Sequence, residues 1–123
     1  MTIIGTGVDI TEVGRLRSAI EKWGASFLNR VFTKEELKNA KTRVNFYPHL
    51  AGRFAAKEAV FKAMGNMKLN LKEVQILNDK DGRPYCEILN GKTKDKAKDF
   101  DIQISISHVK NYATAFAIIT KKN

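Results

Sequence analysis

The sequence predicts an α+β protein in which a mainly antiparallel sheet packs on one long central helix. Three observations carry that expectation. Ile102, Ile104 and Ile106 alternate with Gln103, Ser105 and Ser107, and after the turn Lys110-Asn111 a second extended run follows from Tyr112 to Ile119. Leu50, Phe54, Phe61 and Met64 recur at helical spacing and share one face of a helix. No repeat, linker or low-complexity tract divides the chain, so its 123 residues form a single domain over 1–123.

Taken in order, residues 2–10 read as a strand with Ile4, Val8 and Ile10 on one face and Gly5, Gly7 and Asp9 on the other. Glycine weakens a strand, so two of them beside Asp9 indicate either a bulge or the close approach of another backbone or a ligand. Thr11 is placed to cap a helix with Val13, Leu16 and Ile20 inward and Arg15, Arg17, Ser18 and Lys22 outward, and Gly24 stops it. Thr33-Lys-Glu-Glu36 is a capping box. Pro48 and Gly65 punctuate the central helix, to which Arg53 adds positive charge. Val74 and Ile76, the turn Asp79 to Pro84, and Tyr85 to Leu89 make a hairpin. Gly91 to Phe100 is Lys-rich with a short helix, and His108 ends the strand of alternating isoleucines.

Composition narrows the function. The formal charge of +9 points to an anionic partner: nucleic acid, a phosphorylated small molecule or an acidic protein. The phenylalanines sit at apolar-periodic positions rather than interleaving with Lys and Arg on a strand face, which makes nucleic acid the weakest of the three and none is expected. The single Cys86 excludes an intrachain disulfide, and with only His49 and His108 there is no zinc-type spacing, so any metal would be held by carboxylates. No apolar run matches a membrane span, and the start of the chain is unlike a signal peptide. A soluble, cytoplasmic protein without membrane association is expected. A chain this small encloses a deep cleft with difficulty, which leaves oligomerisation open.

Charges in the central helix are the strongest clue. Lys57 falls inside the apolar arc and Glu58 on its edge, one turn before Lys62. Either Lys57 snorkels to water while Glu58 pairs with Lys62 across one turn, or these charges line a cleft. With Asp9 they make two carboxylates flanked by lysines, the set that holds a magnesium-bound polyphosphate. Magnesium takes one or two protein carboxylates and completes its shell with water and phosphate oxygens. Lysines neutralise the remaining phosphate charge, and Gly65 lets backbone come close to the ligand.

In chain order, Gly5-Thr-Gly-Val-Asp9-Ile, Val31-Phe-Thr-Lys-Glu-Glu-Leu37, Arg53-Phe-Ala-Ala-Lys-Glu-Ala-Val-Phe-Lys-Ala-Met-Gly65, Gly82-Arg-Pro84 and Ser105-Ile-Ser-His108 resemble the motifs of the holo-(acyl-carrier-protein) synthases, the short homotrimeric class of 4'-phosphopantetheinyl transferases. The resemblance implies transfer of the phosphopantetheine arm of coenzyme A to a serine of apo acyl carrier protein, with release of adenosine 3',5'-bisphosphate, in the service of fatty acid biosynthesis. It implies magnesium on Asp9 and Glu58, charge stabilisation by Lys62, and Glu58, directly or through a bound water, as the base for the serine. Lys57, Lys62, Gly65, Pro84, Ser107 and His108 match positions around coenzyme A, with His108 at the nucleotide part. Arg15, Arg17 and Lys22 match the region that receives the acidic carrier protein. The resemblance also implies a homotrimer with sites between subunits, Asp9 and the central helix coming from different protomers. One departure stands out: Asn66-Met67 replaces the usual Thr-Gly after Gly65. The competing expectation is a basic module that binds nucleic acid or an acidic protein without catalysis.

Overall fold

The computed structural model describes residues 1–65, 70–89 and 91–123, with backbone alone at 92 and 93, so Asn66 and Met67 lie outside the described residues. Strand β1 (Ile3–Glu12) leads into helices α1 (Val13–Trp23), α2 (Ala25–Val31), α3 (Lys34–Lys41) and the central α4 (Phe46–Met64). A short 3-10 turn at Leu71–Glu73 precedes β2 (Val74–Asn78) and β3 (Pro84–Ile88), then come α5 (Gly91–Ala97), β4 (Phe100–His108) and β5 (Tyr112–Lys121). β1, β5 and β4 form one antiparallel sheet in that order, and β2 pairs with β3 as a separate hairpin. The expected α+β architecture is the observed one.

Helix α4 is the axis of the molecule, and alanine is what lets the sheet reach it. Ala55, Ala56, Ala59 and Ala63 are buried along it, and Ala113, Ala115 and Ala117 of β5 are buried against it. The tightest approach is to β1. A Cβ added at Gly5 would lie 2.0 Å from the Ala63 carbonyl oxygen, and one added at Gly7 would lie 1.9 Å from that of Ala59. Two strand residues advance about 6.7 Å and four helical residues about 6 Å, so alternate residues of β1 meet successive turns of α4. The bare glycine face therefore accommodates another backbone, and that backbone is α4. The opposite face of the sheet is open: Val8, Ile10, Tyr112 and Phe116 are all exposed there. On β4 the isoleucines turn toward α4 and Gln103, Ser105 and Ser107 turn away, as the alternation predicts.

The start of α1 departs from expectation. β1 runs on through Glu12, which takes the cap position without a side-chain cap bond, so Thr11 is not the cap. Thr11 pairs with Ala113 in the sheet, and its hydroxyl donates to Asp9 Oδ2 at 3.1 Å. Hydroxyls bond to nearby carboxylates as readily as to helix amides, and strand pairing decided the competition here. The remaining punctuation is as expected. Val13, Leu16 and Ile20 are buried, Gly24 closes α1 at φ +56°, the Thr33–Glu36 capping box forms, and Gly65 ends α4 at φ +68°.

Substituting Gly7 tests this packing. Gly7→Ala is expected to lose about 3 kcal/mol in urea unfolding, because the clashing atom is a helix carbonyl that cannot rotate aside. Gly14→Ala in α1, where an added methyl meets nothing within 4 Å, serves as the matched control and gains stability.

Candidate active site

Asp9 sits on the glycine face of β1, two residues beyond the contact of Gly7 with Ala59, and this delivers its carboxylate to the flank of α4 that carries Glu58 and Lys62. The Lys62 ammonium donates to the Val8 carbonyl at 2.9 Å and to Asp9 Oδ1 at 3.3 Å. Lys62 thus turns to β1 rather than to Glu58. Burial, and then the charge of Asp9, raise the pKa of Glu58 against the opposing pull of Lys62. Asp9 and Glu58 line a single cleft of about 450 Å³ together with Arg15, Phe27, Phe54 and Tyr112. The two acids meet within one chain. The expected contribution of Asp9 and the central helix by different protomers is therefore corrected, because the glycine contact seats β1 on its own α4.

Lys57 is a second correction. It was expected beside a ligand or snorkelling to water, yet its side chain is fully buried against α3 and the start of β2. Its ammonium lies 2.7 Å from Glu36 Oε1 and donates to the carbonyls of Leu71 at 2.8 Å and Val74 at 2.5 Å, which uses all three protons. Glu36 in turn accepts from the backbone amides of Thr33 and Ile76, each at 2.8 Å. This closed network ties α3 and the hairpin to α4. Burial lowers the pKa of Lys57, while Glu36 beside it works in the opposite direction. The capping box at Thr33 concealed this second use of Glu36, and two charged residues each falling on an apolar stripe were its trace in the sequence.

The other expected positions are dispersed in a single chain. Ser107 and His108 are exposed and line a depression of about 120 Å³ that shares Ile10 and Tyr112 with the main cleft. Pro84 begins β3 opposite Asn78, and Gly65 closes α4 with nothing among the described residues within 4 Å of where a side chain would begin. Of the basic residues on α1, Arg15 lines the cleft itself. Arg17 pairs with Glu21 at 2.8 Å and stacks over Tyr47, and Lys22 lies over the Trp23 ring.

The burial of two polar residues of α4 was not predicted. His49 and Arg53, one turn apart on α4, are both buried, and Arg53 bonds to Asn78 Oδ1. Burial foremost, then Arg53, Arg43 and His108, bring the pKa of His49 down to about 4, and its Nε2 is buried without a hydrogen-bond partner among the described residues. His49 is therefore neutral at neutral pH, under the two guanidiniums of Arg53 and Arg43. Polar residues at i and i+4 on the buried side of a helix were the available signal.

The donor set fits a hard divalent cation. Two carboxylates face one cleft, and Asp9 raises the pKa of Glu58, a repulsion that a cation between them relieves. Among the described residues no cluster of three or more His, Cys, Asp or Glu competes as a metal site, and no helix is long and apolar enough to cross a membrane.

Fold and sequence agree on the family. Residues 5–117 match the model of the 4'-phosphopantetheinyl transferase superfamily. The holo-[acyl-carrier-protein] synthase of Thermodesulfovibrio yellowstonii is 47% identical over 119 residues, covering 96% of this chain and 99% of that protein. The crystal structure of the Neisseria meningitidis holo-[acyl-carrier-protein] synthase superposes with a TM-score of 0.88 at 29% identity, over 98% of this chain and all of the other. A Bacillus anthracis holo-(acyl-carrier-protein) synthase solved in complex with CoA (3',5'-ADP) matches at a TM-score of 0.81 and 30% identity over the full length of both chains. This chain belongs to the 4'-phosphopantetheinyl transferase superfamily. Within it, the relatives it resembles along nearly its whole length are holo-acyl-carrier-protein synthases.

The reassignment of Lys57 has a measurable consequence. Lys57→Met leaves Glu36 charged and buried without its ammonium, which should cost about 3–5 kcal/mol in urea unfolding at neutral pH. Coenzyme A affinity of the remaining folded protein, measured by calorimetry, should be unchanged.

Proposed function

We propose that this chain transfers 4'-phosphopantetheine from coenzyme A to a serine of apo acyl carrier protein, converting it to the holo form used in fatty acid biosynthesis, and releases adenosine 3',5'-bisphosphate. The observation that carries the reading is the meeting of Asp9 and Glu58 at one cleft, with Lys62 bonded to Asp9, on the fold of this family. The serine oxygen forms a bond to the phosphorus next to pantetheine. The bond from that phosphorus to the bridging oxygen breaks, and the bisphosphate leaves with the electron pair. Such transfers are catalysed mainly by positioning and by stabilising charge on phosphate oxygens.

Each residue has a part in that scheme. Asp9 and Glu58 would hold magnesium, which supplies charge neutralisation to the diphosphate when bound. Lys62 stabilises charge on the transferred and leaving groups. The serine proton passes to Glu58, directly or through a bound water, since that carboxylate lines the cleft the hydroxyl enters. The Arg43 and Arg53 guanidiniums supply positive charge for the phosphates of coenzyme A, with His108 at the nucleotide part and Ser107, Gly65 and Pro84 completing the contacts. Arg15 at the cleft mouth, with Arg17 and Lys22 on the exposed side of α1, receives the acidic carrier protein, a steering that weakens as salt rises.

We also propose a homotrimer working in the cytoplasm. The open sheet face supports self-association, since Val8, Ile10, Tyr112 and Phe116 leave apolar surface uncovered, and Ile10 and Tyr112 also border the cleft. A neighbour seated there brings its own residues to the site and completes the binding of a long ligand.

The test is the mass of apo acyl carrier protein after incubation with coenzyme A, magnesium and this protein. A gain of one phosphopantetheine group is expected, and Asp9→Ala and Glu58→Ala should each slow it about a hundredfold or more while melting near the wild-type temperature. No gain with any of several carrier proteins contradicts the proposal.

A further inference from the structure

Lys62 holds Asp9 in an arrangement that bears on the order in which ligands enter. Its ammonium bridges the Val8 carbonyl and Asp9 Oδ1, while the Thr11 hydroxyl occupies Asp9 Oδ2. Both oxygens of this carboxylate therefore already carry a donor from the chain. A divalent cation approaching Asp9 meets an ammonium 3.3 Å from the oxygen it needs. Like charges that close repel strongly outside bulk water. The lysine is also free to leave. Its side chain is 56% exposed, against 17% for Asp9, and sits on a flexible four-carbon stem. What it lacks without ligand is a better anion, and a diphosphate supplies one at the same place.

We infer that Lys62 is a resident counter-ion of Asp9 that moves to the diphosphate when coenzyme A enters, so that divalent metal and coenzyme A bind with positive coupling. The inference rests on the assignment of Asp9 and Glu58 as the metal pair and adds an order to it. Metal alone has to compete with Lys62 for Oδ1. Coenzyme A draws Lys62 away and opens that oxygen, and by linkage the metal strengthens coenzyme A binding by the same factor. Thr11 stays on Oδ2 throughout and fixes which oxygen is offered, a role open to it because it lies in β1 rather than at the helix cap.

The experiment titrates Mn2+ into the intact protein and follows free Mn2+ by electron paramagnetic resonance, with and without saturating coenzyme A, after subtracting the Mn2+ that coenzyme A binds by itself. For the wild type, coenzyme A should tighten Mn2+ binding roughly tenfold, within the 5–150-fold range usual for coupled sites. Lys62→Met, which keeps the length of the stem and removes the charge, should bind Mn2+ alone roughly tenfold more tightly than the wild type, and coenzyme A should then add much less. Lys62→Met binding Mn2+ alone no more tightly than the wild type overturns the inference while leaving the metal pair standing. Asp9→Asn binding Mn2+ as well as the wild type overturns the metal assignment itself, and the inference with it.

Discussion

The backbone contact between the glycines of β1 and α4 is the constraint on which the site depends. Gly5 and Gly7 let the strand lie directly on the carbonyls of Ala63 and Ala59, a separation that no side chain would permit. Asp9 follows in the same alternation and arrives beside Glu58 and Lys62 because of that separation. A strand held off by one methyl per contact would carry its carboxylate away from the helix. The small residues of β5 repeat the same solution on the neighbouring strand, so α4 is packed closely along much of its length.

Charge on α4 is sorted by the direction each residue faces. Lys57 points inward, and its burial is tolerated because Glu36 and two carbonyls use every proton it carries. Replacing such a pair with apolar residues is often neutral, whereas breaking it is costly, so the network acts as a register pin more than as a source of stability. Glu58 faces the cleft and Lys62 reaches β1, and Asp9 raises the pKa of one and holds the other. One helix thereby carries its anchor and its chemistry on different faces.

Much of this was legible in the sequence because it is local. The alternation of Ile102 to Ser107, the capping box at Thr33 and the stops at Gly24 and Gly65 are set by neighbours within a turn or two, and the structure keeps them. The glycines beside Asp9 left open a bulge or a close partner, and the partner could not be named because it lies more than fifty residues away. Lys57 was misplaced for the same reason. Its counter-charge sits in α3 inside a capping box that already accounted for Glu36 locally. Thr11 went to the sheet because strand pairing with β5, invisible in a short window, outweighed a helix cap. The burial of His49 and Arg53, and the bond of Arg53 to Asn78 of β2, needed the whole fold. The motifs that resemble the transferase family supplied what locality could not, and two things carried over from them failed: the sharing of Asp9 and α4 between subunits, and the place of Lys57 beside the ligand.

That Asp9 and Glu58 serve one site within one chain is the central claim, and subunit complementation tests it most directly. Asp9→Ala and Glu58→Ala chains are unfolded together, refolded as a mixture, and assayed for phosphopantetheine transfer to apo acyl carrier protein. With both acids drawn from the same chain, every site in a mixed assembly lacks one of them, and the mixture stays as inactive as either variant alone. Recovery of a substantial fraction of wild-type activity on mixing would mean that the two carboxylates come from different chains, and would contradict the account.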